Sequence, residues 1–136
     1  MIFSLPVPTL LLYSIAIAAV LVYLPFLLVG WARVQVGYDI ASPRLMFDKL
    51  PPYAQRATWA HQNSFESIAL FAPAAILAYV TGQDSQTAGI ATIAYLAARL
   101  LFSTFYIFNL PLLRSLMFAV ASASTATLFW LSLTNR

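Results

Sequence analysis

The chain has 136 residues, 62% of them apolar and only 8% charged, against about 25% charge in a soluble domain. So few charges cannot cover a water-facing surface, which excludes a soluble globular enzyme and a disordered chain and leaves an integral membrane protein. The formal charge of +3 comes from scattered Lys and Arg with no basic stripe, which argues against nucleic acid, and the absence of Cys with one His and four carboxylates argues against a protein-built metal centre.

A membrane helix needs about 20 apolar residues. Four segments qualify, over about residues 9–31, 57–80, 88–108 and 112–133, so an all-α transmembrane four-helix bundle in a single domain is expected. The first segment is uncharged but holds Pro25, where a kink is expected. It does not read as a signal peptide, because Met1 to Leu5 carry no Lys or Arg and the apolar run is too long. The connection from Val34 to Gln55 contains Ser42-Pro43 and Pro51-Pro52 and is expected to be irregular or extended. The next, Thr81 to Thr87, carries only Asp84. Asn109-Leu110-Pro111 reads as a tight turn between antiparallel helices. The first and third connections share a side and hold nearly all the Lys and Arg, which places that side in the cytoplasm; Arg136 and the terminal amine argue weakly against it.

Polar residues inside spans are costly and each one needs an explanation. Arg56, Trp59, Asn63, Glu66 and Leu70 follow a 3-4-3-4 spacing and share one face of the second span. Arg99, Phe102, Ser103 and Tyr106 share a face of the third. Glu66 and Arg99 are the only charges deep in spans, so they are expected to pair, directly or through a shared polar ligand. The pair could equally just hold helices together. Trp31, Tyr53 and Trp59 fit interface anchors. His61 lies about 200° around the helix from Asn63, at 100° per residue, and fits a hydrogen-bonding or interface role. Arg44 and Lys49 fit solvated or headgroup contacts, and the small-residue run Ala119 to Thr127 fits close helix packing or a subunit interface.

The stretch from Arg56 to Glu66 reads R-x-x-x-A-H-x-N-x-x-E. It resembles the second-helix motif of the MAPEG family, the membrane-associated proteins of eicosanoid and glutathione metabolism. Arg33 after Gly30, Ala98-Arg99-Leu100 with Tyr106 seven residues beyond Arg99, and Pro111 with Arg114-Ser115 agree with it, and the resemblance covers about residues 9–133. It implies a homotrimer that binds glutathione at the subunit interface, open to the cytoplasm, and takes a lipophilic small-molecule substrate from the membrane lipids. Arg33, Asn63, Glu66, Arg99, Tyr106 and Arg114 would bind glutathione. Arg114 would stabilise its thiolate, with Ser115 as a second donor. Arg56 would be a nearby structural or binding group.

Departures bear on activity more than on fold. Trp59 and Gln62 stand where eicosanoid enzymes of the family carry basic residues. Phe102 replaces a His or Tyr, Gln55 replaces an acid, and Pro73 lies further from Glu66 than in those enzymes. The readings that follow are a glutathione-dependent transferase or peroxidase, a non-catalytic lipid-binding or scaffold member, and an unrelated transporter or assembly protein.

Overall fold

The structure is a computed structural model that describes residues 4–135; Arg136, and with it the charge that opposes the assigned orientation, lies outside the described residues, as do residues 1–3 of the N-terminal stretch. It contains four long helices, α1 (Val7–Gln35), α2 (Pro52–Val80), α3 (Gln86–Ile107) and α4 (Pro111–Thr134), each long and apolar enough to cross a membrane, and no strand among the described residues. A short 3-10 helix, Pro43–Lys49, forms a strap between α1 and α2.

Local chemistry sets the helix ends. Prolines stand in the first turns of α1, α2 and α4, where the missing N–H costs nothing. The Ser85 hydroxyl accepts the Ala88 N–H and caps α3. α2 ends as Gln83 and Gly82 donate back to the carbonyls of Ala78 and Tyr79, with Gly82 at φ 74°. α3 ends the same way, with Leu110 and Asn109 donating to Phe105 and Tyr106 and Asn109 at φ 60°. Pro111 then opens α4 at once, which is the tight turn read from the sequence.

One expectation needs correction. The segment from Val34 to Gln55 is not irregular throughout: α1 runs to Gln35, the strap is helical, and α2 begins at Pro52. Hydropathy marks the apolar centre of a span, whereas the helix continues into polar residues as far as its caps. Pro25 lies inside α1, which remains one helix from Val7 to Gln35. Pro25 supplies no N–H to the preceding turn, and His61 Nδ1, 2.7 Å from the Val22 carbonyl, donates into that turn. A carbonyl only accepts, so Nδ1 carries the proton.

α1 packs chiefly on α2, and α3 chiefly on α4, while α2 and α3 touch each other and form the short diagonal of a rhombus. α1 and α4 occupy opposite corners. In lipid, helix association rests on close packing and hydrogen bonds. The buried side of α2 is accordingly small: Ala54, Ala57, Ala60, Ala74, Ala75 and Ala78 are all fully buried. Phe71 fills the remaining space by stacking on Tyr95, with ring centroids 3.7 Å apart, and the Tyr95 hydroxyl meets Ser67 Oγ at 2.8 Å. Buried Ser64, Thr92, Thr125 and Ser132 donate to carbonyls four residues back, so they bring helices close without stranded hydroxyls. Ala75→Leu is expected to lower stability by about 1–3 kcal/mol through overpacking. Ile90→Ala, at an exposed position, should stay within about 0.5 kcal/mol. Thermal unfolding in detergent compares the two.

Candidate functional site

The C-terminal ends of α1 and α3 and the N-terminal ends of α2 and α4 meet at one end of the bundle. Arg33, Arg44, Lys49, Arg56 and Arg114 therefore gather there. Arg56 is a tie: its Nε donates to the Ile107 carbonyl at 3.0 Å and fixes the start of α2 to the end of α3.

A cleft of about 690 Å³ lies between α1, the strap and α2. Arg33 and Arg44 contribute the charge, His61 and Gln62 line the α2 side, and Phe26, Phe47 and Phe65 make apolar walls. The Arg33 guanidinium rests against Phe26 and Tyr38, at 5.6 and 6.0 Å from the ring centroids, and its buried Nε has no acceptor among the described residues. Gln55 holds the strap through its side-chain amide, which donates to the Phe47 carbonyl at 3.1 Å.

On the other flank of α2, α3 presents Tyr106 and α4 presents Arg114. The Arg114 guanidinium lies 4.6 Å from the Tyr106 ring centroid, at cation–π distance. Tyr106 is also in ring contact with Phe102 at 5.5 Å and Trp59 at 6.4 Å, and Trp59 with Phe47 at 5.4 Å. An aromatic row thus runs from Arg114 to the strap. Ser115 is exposed and hydrogen-bonds no other described residue.

Deeper along the same flank, α2 and α4 enclose a groove of about 350 Å³. Asn63, Glu66, Ser67, Ser122 and Thr125 make its polar side, and Leu70, Phe118 and Phe129 its apolar side. Asn63 Oδ1 is buried without a donor among the described residues, and Glu66 is exposed. Trp59, Gln62, Glu66, Ala69 and Pro73 form one exposed stripe along α2, the least apolar of the four helices.

Arg99 is not brought to either flank, and the expected direct pair with Glu66 is not formed. Arg99 Nη2 donates to Ser64 Oγ at 3.1 Å, and its guanidinium sits 4.1 Å from the Phe102 ring centroid. Ser64 lies about 160° around α2 from Glu66 at 100° per residue, so the two charges approach opposite sides of that helix. Among the described residues, Arg33, Glu66 and Arg114 make no ion pair.

The structure thus brings Tyr106 to Arg114 and Asn63 to Glu66, and puts Arg33 on the far side of α2. Sequence reasoning missed Ser64 as the partner of Arg99 and Phe47 as a wall of the cleft. Ser64 continues the small stripe Ala57, Ala60, which was a usable signal; Phe47 lies in a segment with no periodicity. The model of the MAPEG family matches residues 10–134, nearly the whole chain. No curated protein and no solved structure gives a significant match.

Proposed function

The chain belongs to the MAPEG family, and on that premise we propose that it is a multi-pass membrane glutathione transferase or peroxidase for lipophilic electrophiles or lipid hydroperoxides. The observation that carries the reading is the set of unpaired groups around α2: Arg33, Asn63, Glu66 and Arg114 have chemistry complementary to a peptide with two carboxylates, one ammonium and one thiol. Arginine forks suit carboxylates, Glu66 suits the ammonium, and Asn63 offers an acceptor that no protein group uses.

The set is split between opposite corners of the rhombus, with Arg33 on α1 and Arg114 on α4. A site made by the corner of one subunit and the opposite corner of the next would unite them. The polar stripe on α2 supports such an assembly, since Gln62 and Glu66 facing lipid would be costly. We read the assembly as a homotrimer with its site facing the cytoplasm, on the family's pattern and the positive charge at that end.

Each residue then has a defined task. When bound, glutathione supplies a thiolate nucleophile. Tyr106 orients Arg114 through the stacked contact. Arg114 places its charge beside the sulfur and favours the deprotonated form. Ser115 can donate a second hydrogen bond there. The groove between α2 and α4 keeps an apolar wall next to Glu66, which suits an acceptor arriving from lipid.

Thermal unfolding of the detergent-purified protein, titrated with glutathione, tests this. A saturable rise below about 10 mM is expected, following RT ln(1 + [L]/Kd). Glu66→Gln should weaken binding by about 10- to 100-fold by losing a charged hydrogen bond. Free glycine and glutamate should have no effect. No rise would favour the second reading, a lipid-binding member without thiol chemistry. That reading draws support from Trp59 and Phe102, which pack Tyr106 between aromatic rings.

A further inference from the structure

Arg99 is 4% exposed near the middle of a membrane-spanning helix, yet no carboxylate among the described residues forms an ion pair with it. One terminal nitrogen is used by Ser64. The other, Nη1, is buried without an acceptor. A guanidinium in this position demands an anion or water.

A crevice of about 140 Å³ lies between α1 and α3, and Arg99 forms part of its lining. Its α3 side is a helical stripe that runs from Arg99 through Ser103 to Ile107, the last residue of α3. At 1.5 Å rise per residue this is roughly 12 Å, from the buried charge to the end of the helix. The Ser103 hydroxyl faces the crevice and bonds to no other described residue, so a second donor is available one turn from Arg99. Leu24 and Leu100 form the lips, both substantially exposed. The crevice lies on the opposite side of α2 from Glu66 and does not share the cleft of Arg33 or the face of Arg114.

We propose that the α1–α3 crevice is a binding site for an anionic amphiphile, whose carboxylate or phosphate head is held by Arg99 and Ser103 and whose chain lies outside against Leu24, Leu100 and Ile107. The volume fits the proposal: it admits one small oxyanion head and a few methylenes, at about 30 Å³ per water-sized unit, and has no room for a lipid chain. The ladder from Arg99 to Ile107 lets a head descend from the interface along one polar-edged groove. This site is independent of glutathione.

Retention of radiolabelled oleate by the full-length, detergent-purified protein tests it. Saturable binding is expected, with the uncharged methyl oleate at least about tenfold weaker, because a charged hydrogen bond is lost. Arg99→Gln should lower oleate affinity by a similar factor. Because Arg99 also holds Ser64, Ser103→Leu is the second variant: it fills the crevice and leaves the guanidinium in place. It should abolish retention while the unfolding midpoint and the response to glutathione remain those of the wild type. Competition separates the sources of the head: stronger displacement by lysophosphatidate than by unlabelled oleate assigns it to a membrane phosphate, and the reverse to a fatty carboxylate, and either supports the site. Equal binding of methyl oleate, full retention by Ser103→Leu, or displacement of oleate by glutathione would overturn it. The last result would return Arg99 to the glutathione site; a missing glutathione response with oleate binding intact would sink only the transferase reading.

Discussion

Arg114→Ala is expected to lower glutathione conjugation by about 10²–10³-fold while leaving the unfolding temperature unchanged, the size of effect seen when a preorganised charge-stabilising group is removed. The guanidinium is half-buried and lies against the Tyr106 ring, and no carboxylate among the described residues competes for it. A free thiol of pKa about 8.5 is mostly protonated at neutral pH. A fixed cation beside the sulfur favours the charged form, so the bound thiol should ionise below that value in the wild type. Removing the cation raises it again. The deficit of Arg114→Ala should therefore be largest near neutral pH and shrink as the pH rises past the free thiol value. A purely structural role for Arg114 would leave the pH profile in place and scale it uniformly. Ser115→Ala should cost about tenfold at most, since it removes one neutral donor at an exposed position.

Mixing two inactive variants should restore activity. Arg33→Ala and Arg114→Ala each remove one half of the proposed shared site, and those halves sit on opposite corners of one subunit. In a closed ring with head-to-tail contacts, a site between an Arg33→Ala subunit and an Arg114→Ala subunit is intact in one of the two orders. Co-expressed variants with distinguishable tags, purified through both, are mixed trimers, and each keeps one whole site of three. Activity of roughly a third of wild type is expected, against near background for either alone. No recovery in a verified mixed oligomer would mean that Arg33 and Arg114 do not serve one site across an interface.

Much of the architecture was legible from hydropathy, because lipid imposes a length and a composition on anything that crosses it. The helix ends were not, because Pro52 to Arg56 is helical without being apolar. The turn at Asn109 was readable from its residues; the strap was not, since Pro43–Lys49 has no period to follow. Glu66 and Arg99 do not meet directly, for a reason of helix phase. Pairing the only two deep charges counts charges without tracking helix phase, and Ser64, on the buried side, was the group Arg99 could reach. Periodicity puts Tyr106 on one face with Arg99, while the role of Tyr106 and Arg114 as ligand contacts comes from the family resemblance. Their mutual contact depends on how α3 and α4 cross, which no single-helix periodicity encodes.

The turn between α3 and α4 also acts as a ruler. Tyr106 and Arg114 are separated by the last residues of α3, the left-handed Asn109, and the proline that restarts the chain as helix. Adding one residue within α4 between Pro111 and Arg114 would rotate Arg114 by about 100° about the helix axis relative to what precedes it, and carry it off the Tyr106 ring. The strap is constrained in another way: Arg44 and Phe47 line the cleft and Gln55 holds the Phe47 carbonyl, so a change of length there displaces a wall of the cleft and turns no helix. Two connections at the same end of the bundle are therefore under different constraints, one set by helix phase and the other by the wall it forms.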